Sequence, residues 1–472
     1  METTPLADVA RTRQSGESPG LSEESAEPPG TASAVALAEP EAAETTAGLS
    51  ASDAFRELFG ATPEQWDDWR WQMRHRIRTV GQLVRCLGDL GDGADVTQAA
   101  LRFPMAITPY YASLIRRPDP TDPIFAMCVP QGRELVDSPA LSDDPLEEDA
   151  DMPVPGLVHR YPDRALLIVT TTCASYCRHC TRKRVAGARE SAIGLRRLQQ
   201  ALNYLRAHPE ISDVIVSGGD PLTMSTAAVE TILAALRAVP SVQIIRIGTR
   251  VPVVLPQRIT DELTAMLRKY HPLWINTHFN HPQELTPEAA RACARLADAG
   301  IPLGNQSVLL RGINDRPQVV EALCRGLVCM RVRPYYLFQC DLVRGVEHFR
   351  TPLSRGLEIM EYLRGRLSGL AIPTFVVDAP RGGGKIPLLP NYIVSMSPTH
   401  TVLRNFEGML VNYPEPYAAP EPDAGTLRPG CDPGVWGLAN GRVSAIVPEN
   451  IGRQRRRRER AAMAPGACRD LT

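Results

Sequence analysis

The chain has little that would commit it to a surface. Its 472 residues carry 52 Lys and Arg against 53 Asp and Glu, a formal net charge of −1. No field of one sign therefore draws it to nucleic acid or to an anionic membrane. No uncharged apolar run reaches about 18 residues, the length a spanning helix needs. The first residues, METTPLADVA, lack the basic and apolar stretches that open a secretion signal. Aromatic residues make up 6% of the chain and are missing altogether from residues 1–50. That segment, rich in Ala, Glu, Pro, Ser and Thr, cannot bury enough apolar surface to order itself, so a disordered tail is expected there. Eleven cysteines in a long chain with no such signal do not read as a disulfide framework. A cytoplasmic location and at least one metal site are expected instead.

What is present is a core-forming chain, 43% hydrophobic, long enough for one large α/β domain with flanking pieces. WDDWRWQMRHRI places Trp66, Trp69 and Ile77 near helical intervals, which predicts a helical element. From Leu166 the rhythm changes. Short apolar runs at 165–170, 213–219, 243–249, 273–279, 302–310 and 331–338 alternate with helical patterns such as LRRLQQALNYLRAH. Alternation of this kind predicts parallel βαβ units, and six of them predict a barrel or partial barrel with its chemistry at the carboxyl ends of the strands. The stretch 414–429 is proline-rich and reads as loop. The run GRQRRRRERAA has no interleaved aromatics and reads as a solvated basic tail rather than a nucleic-acid site. The expected divisions are a tail over 1–50, a helical region over 51–150, a barrel over 151–395, an extension over 396–450 and a basic tail over 451–472.

Cys173, Cys177 and Cys180 follow directly on the first of the apolar runs. Three thiolates suit zinc or an iron–sulfur cluster. Structural zinc usually draws its ligands as two spaced pairs, and no second CxxC exists. His179 sits between two of the cysteines on a tight loop. The C-x3-C-x2-C spacing resembles the signature of radical S-adenosylmethionine enzymes, in which three cysteines hold a [4Fe–4S] cluster and leave one iron open. SGGD, with Ser217, Gly218, Gly219 and Asp220, ends the second run. It reads either as an ordinary glycine turn or as the stretch that receives the methionine amino group in that superfamily. In TFVVDAPRGGGKIPLLPNY a strand ends at Asp378 and three glycines lead to Lys385. Glycines let the backbone approach a ligand closely. A flexible turn and a Schiff-base lysine for pyridoxal phosphate both fit, and a phosphate loop does not, because Ile386 follows the lysine. Arg160 and Arg164 in HRYPDR are forked donors suited to a phosphate, or ordinary surface arginines.

Taken together, HRYPDR, YCRHCTRKR, RIGTRVPVVLPQRIT, NTHFNHP, PLGNQSVLLRGIND, RVRPYYLFQCDL and DAPRGGGK resemble the lysine 2,3-aminomutase family from about Trp66 through Gly441. The resemblance implies a partial (β/α)6 barrel of the radical S-adenosylmethionine type, with an N-terminal helical segment and a C-terminal extension. It implies an isomerase that moves the α-amino group of L-lysine to carbon 3, through a 5′-deoxyadenosyl radical and an external aldimine of pyridoxal phosphate. It makes Cys173, Cys177 and Cys180 the cluster ligands, Lys385 the anchoring lysine, and Arg160 and Arg164 the holders of the cofactor phosphate. His278 and Gln306 fall where the family contacts S-adenosylmethionine. Arg182 falls at the substrate carboxylate, and Asp341 and Asp378 at the distal ammonium. Two carboxylates suit a cation drawn out of water and would repel an acidic substrate. Arginine, a forked cation, is the alternative substrate. A non-catalytic zinc or iron–sulfur protein is the alternative of another class. The partners implied are a small basic amino acid and an electron donor such as flavodoxin or ferredoxin. Neither nucleic acid nor membrane is expected, and a homo-oligomer is compatible with the chain. Departures stand beside the likeness. Arg316 replaces a cysteine that clostridial members use to bind zinc between subunits, only Cys431 remains of a C-terminal cysteine cluster, and Arg381 replaces a glycine, so zinc is not expected.

Overall fold

The structure, a computed structural model, describes residues 51–414 apart from 91–92, 137, 188 and 397–399. The expected tail over 1–50, the proline-rich stretch past residue 414, Cys431 and the basic run lie outside the described residues.

A nine-stranded sheet in the linear order β1 to β9 organises the chain. Strands β2 (Arg164–Thr170), β3 (Asp213–Gly218), β4 (Ile244–Gly248), β5 (Leu273–Thr277), β6 (Leu303–Leu309) and β7 (Arg333–Gln339) coincide with the six apolar runs. All pair in parallel. The sequence reading of six strands falls one short. β8 (Thr374–Ala379) pairs in parallel with β7, Tyr336 beside Thr374, so the strand that leads into the lysine loop is also a barrel strand. β1 (Leu157–Tyr161) and β9 (Gly384–Pro387) close the two edges as antiparallel hairpin partners of β2 and β8.

Side-chain alternation along these strands divides the residues between two environments. Leu167, Val169, Val214, Val216, Ile245 and Ile247 are buried outward, under the crossover helices. Their neighbours Leu166, Ile215, Ser217, Arg246 and Gly248 line an interior cavity. Much of the inward set is polar, so the barrel encloses a site rather than a packed core. The helices are amphipathic at the required spacing. Leu195–Ala207 buries Leu198, Ala201, Leu202 and Leu205. Pro287–Asp298 opens with Thr286, whose hydroxyl caps the first turn, and buries Ala289, Ala292, Cys293 and Leu296.

Before the barrel, short helices pack into the same core through Trp66, Trp71, Tyr110 and Tyr111. The single helical pattern read through Trp66, Trp69 and Ile77 is in fact broken. Asp68 leaves the helix and caps a new one, accepting from the amides of Arg70 and Trp71. This turns Trp71 inward, while Trp69 is only half-buried. After β9, strands Ile393–Met396, His400–Arg404 and Leu410–Pro414 form a separate antiparallel meander. No helix among the described residues is long and apolar enough to cross a membrane.

Candidate active site

The interior cavity has a volume of about 550 Å³ and is lined by every site residue singled out above, from Arg160 to Lys385. That size suits small-molecule ligands. The loop after β2 brings Cys173, Cys177 and Cys180 to its wall as free thiols. The loop is pinned from several sides. Tyr176 and Arg178 donate their amides to the carbonyls of Ala106 and Met127. The guanidinium of Arg178 grips Glu134 with both arms, at 2.8 and 2.7 Å, and Lys183 Nζ joins the same carboxylate at 2.7 Å. Arg178, Glu134 and Lys183 are all buried. Arg76 donates to the Cys173 carbonyl at 2.6 Å and pairs with Glu190. The N-terminal helices thus supply the frame on which the thiols are mounted.

SGGD stitches that loop to β3. The amide of Gly219 donates to the Thr170 carbonyl at 2.6 Å and that of Asp220 to the Thr172 carbonyl at 2.8 Å. The approach is too close for a side chain. A Cβ on Gly218, whose φ is +129°, would lie 2.3 Å from the Thr170 oxygen, and one on Gly219 would lie 2.4 Å from that of Thr172. Asp220 is buried and already occupied. It accepts from Thr249 Oγ1 at 2.6 Å, from the amide of Arg250 at 2.7 Å and from that of Leu222 at 3.1 Å.

Burial pushes the Cys173 thiol well up and the Cys180 thiol up to about 11. Left alone, such thiols stay protonated. A bound iron–sulfur cluster takes them as thiolates and supplies the positive charge that burial otherwise denies them, so the donor set fits the cluster. Each cysteine of a cubane binds a different iron, so the thiols need not meet at one point. Among the described residues no three His, Cys, Asp or Glu side chains converge on a single-ion position. Arg250 went unnoticed in the sequence. Its Nη1 donates to Cys177 Sγ at 2.7 Å, and its Nη2 reaches Glu284 at 2.6 Å and the Tyr111 hydroxyl at 2.8 Å. The signal for it was a lone arginine between a buried strand and the wholly apolar VPVVLP. His278 is half-buried, donates through Nδ1–H to the Gln306 carbonyl (3.1 Å), and is pushed down to about 4 by desolvation and by Arg250, so it is neutral at physiological pH.

Across the cavity, β8 and β9 carry Asp378 and Lys385 as register partners. Lys385 Nζ donates to both oxygens of Asp378 at 2.8 and 2.9 Å and lies 4.9 Å from the centre of the Phe338 ring. The Lys385 amide donates to the Tyr161 hydroxyl, and the Arg164 guanidinium stacks 3.8 Å over that tyrosine ring. Arg160 pairs with Asp151 at 2.9 Å and also donates to the Leu146 carbonyl. A lysine amine with two arginines at one end of the same cavity fits pyridoxal phosphate, whose carbonyl and phosphate call for those two partners. Arg182 is gripped by Glu148 through two bonds, at 2.7 and 3.0 Å, and its Nη1 faces Ser217 Oγ at 3.5 Å. Asp341 follows β7 and accepts from Thr181 Oγ1 at 2.5 Å. Burial, and then the neighbouring charge of Asp378, push its carboxyl up to about 6. Arg381 holds a left-handed backbone, φ 58°, at the tip of the β8–β9 turn, and its amide donates to the Pro145 carbonyl. Arg316 sits just before the helix Pro317–Cys329, at the cap position.

Comparison with known proteins bears on this geometry. Residues 167–323 match the model of the radical SAM superfamily and residues 360–467 that of lysine-2,3-aminomutase. The chain is 51% identical to the L-lysine 2,3-aminomutase of Clostridium subterminale over 85% of its own length and 98% of that protein. It is 47% identical to the enzyme of the same name from Bacillus subtilis, covering 85% and 88%. It is 46% identical to a glutamate 2,3-aminomutase of Clostridioides difficile, covering 75% and 84%. Among solved structures it is similar to Streptococcus suis SuiB bound to S-adenosylmethionine, with a TM-score of 0.36 and 12% identity over 46% of this chain and 51% of that one. With 51% identity across 98% of the Clostridium subterminale protein, and the cysteine loop and lysine hairpin facing one cavity, the chain belongs to the lysine 2,3-aminomutase family of radical S-adenosylmethionine enzymes.

Proposed function

We propose that this chain is an L-lysine 2,3-aminomutase, an isomerase that shifts the α-amino group of lysine to carbon 3. The observation that carries the reading is the pair of buried carboxylates, Asp341 and Asp378, placed in the same cavity as the three thiols and Lys385. It stands beside 51% identity to a lysine enzyme over 98% of that enzyme's length.

When bound, the iron–sulfur cluster with S-adenosylmethionine supplies hydrogen-atom abstraction, and pyridoxal phosphate supplies a carbonyl carbon that carries the migrating nitrogen. Cys173, Cys177 and Cys180 would hold the cluster, and the Arg250 guanidinium at Cys177 Sγ would neutralise part of its charge. His278 and Gln306 line the wall on which S-adenosylmethionine would lie, and Ser217, Gly218, Gly219 and Asp220 shape the turn at its edge. Arg160 and Arg164 would hold the phosphate, and Lys385 would anchor the cofactor covalently. Arg182, oriented by Glu148, presents its remaining arm to the substrate carboxylate. Asp341 and Asp378 give the far end of the site a negative charge that draws in a cationic side chain and rejects glutamate. Leu166, Ile215, Val308 and Phe338 line the walls and exclude water from the carbon atoms that react. The residues thereby hold both ends of one amino acid at fixed distance from the thiol loop, which is the positioning such a reaction demands.

The test is anaerobic turnover of reconstituted protein with lysine, arginine and glutamate in competition, products resolved by mass and chromatography. β-Lysine is expected as the main product. A preference for arginine or glutamate, or no isomerised product at all, refutes the assignment. An electron donor such as flavodoxin or ferredoxin belongs to the same proposal and is tested by substituting each for dithionite.

A further inference from the structure

The chain as a whole balances its charges, yet one face of it does not. Residues 69–88 carry five arginines, Arg70, Arg74, Arg76, Arg78 and Arg85, and no acid. Residues 185–197 carry three more, and Glu190 is their single acid. The fold brings these two stretches together on the outside of the cysteine loop. Glu190 accepts from Arg76 at 2.9 Å, from Arg78 at 2.7 Å and from the Tyr176 hydroxyl at 2.5 Å, so its charge is already matched. Arg76 also donates to the Cys173 carbonyl at 2.6 Å. One buried guanidinium thus separates the backbone of the first cysteine from a carboxylate that is 25% exposed. Beside that carboxylate the side chains of Arg74 and Arg78 are 63% and 48% exposed, and Arg189 is exposed as well. Asp68 approaches Arg74 only at 3.8 Å. The face therefore keeps an excess of positive charge where the cover over Cys173 is a single side chain thick.

We propose that this arginine face docks an acidic protein that delivers single electrons, carried on a flavin or an iron–sulfur centre, to the cluster behind Cys173. The inference rests on the reading above and gives its electron donor a place on the molecule. One electron leaves the carrier and enters the cluster, no atom is transferred, and no bond of this chain changes. Electron transfer falls steeply with distance, so a carrier gains by approaching Cys173 from outside. The opposite approach runs through the cavity that substrate and cofactors share. Fixed charges of one sign steer an acidic partner towards the face and orient it there. Nucleic acid would be drawn by the same charge, but neither stretch offers an exposed Trp, Tyr or Phe on which a base could stack.

The experiment uses the full chain with its cluster reconstituted anaerobically. Oxidised flavodoxin and oxidised ferredoxin are titrated in turn, and binding is read optically without turnover. At least one should bind. In the double variant Arg74→Glu/Arg189→Glu its Kd should rise by about tenfold at about 20 mM salt and merge with wild type near about 0.5 M, where screening removes the steering. Reduction of the cluster by that carrier, followed as loss of visible absorbance, should slow with the binding. Reduction by the small methyl viologen radical cation should not slow. A control reversal on the crossover helices, Arg291→Glu/Arg325→Glu, whose side chains are 65% and 58% exposed, should leave the carrier's Kd where it was. Equal weakening by the control pair, or slowing of viologen reduction in the first pair, overturns the docking face. So does a labelled oligonucleotide that binds wild type and not the first pair while the carrier binds both alike. Should the first pair lose its iron, Arg74→Gln/Arg189→Gln decides, with a rise of about threefold expected and none refuting. A wild-type cluster that viologen reduces but to which neither carrier binds refutes the docking face alone. Wild-type protein that takes up no iron and no electron from viologen refutes the radical-enzyme reading itself.

Discussion

Replacing Asp341 by asparagine should strengthen the fold and weaken the substrate. The carboxyl is buried beside Asp378 and is pushed up from its ordinary 3.8 to about 6. The folded protein therefore holds a proton that the unfolded chain has already lost. The associated stability is complete below pH 3.8 and disappears as pH rises through 6. Above that, the ionised group costs the fold about 3 kcal/mol, two pH decades at roughly 1.4 kcal/mol each. Asparagine has a similar shape and can still accept from Thr181, but it carries no charge. Cofactor-free Asp341→Asn should gain up to about 3 kcal/mol at pH 7.5, about half of that at pH 5, and only about 0.5 kcal/mol at pH 4. Lysine binding should move the other way, by about 1–3 kcal/mol for a lost charged partner, or roughly 5- to 150-fold in concentration. Urea denaturation of the cofactor-free protein at the two higher pH values reads the first effect, and displacement of Lys385 by lysine reads the second. A variant less stable than wild type at pH 7.5, or a gain that does not shrink at pH 5, refutes the reasoning.

Cys177→Ala should abolish cluster assembly, seen as loss of iron and sulfide after anaerobic reconstitution; full iron content would count against its place among the ligands. Gly219→Ala puts a methyl 2.4 Å from the Thr172 oxygen. It should push the cysteine loop off β3 and lower iron retention even where the protein still folds, and unchanged iron content would show the contact to be soft. Glu134→Leu leaves Arg178 and Lys183 buried without their carboxylate, a loss of about 3–5 kcal/mol. Against a total of about 5–15 kcal/mol, that should show as a large drop in the denaturation midpoint, and a drop under about 1 kcal/mol would contradict it.

How much of this could be read in advance depends on range. The six strands of the sequence reading declare themselves locally, because each is an apolar run flanked by an amphipathic helix. The cysteine loop and the lysine hairpin follow strands, so a parallel barrel sends both to one end, and Cys173 and Lys385 line one cavity across 212 positions of chain, 385 minus 173. The partners of these residues were not legible. Glu134, Glu148, Arg250 and Glu284 are ordinary charges in sequence, and only the fold reveals that they are buried and matched. Asp68 misled for the opposite reason. A short acidic residue in a helical pattern can sit on the solvent face or cap a fresh turn, and periodicity does not distinguish the two. β8 was recognised as a strand but not as a barrel member, since nothing in TFVVDA says which edge it will join.

The turn Pro380–Gly383 between β8 and β9 has a consequence for how this enzyme can change. It fixes which rung Lys385 occupies. One residue added or removed there slides the edge strand by a step and swings the lysine to the outer wall, while replacements such as Arg381 leave the step intact. That segment is therefore constrained in length far more than in composition. A chain that had drifted in its letters would still catalyse, and one that had gained a single letter would not.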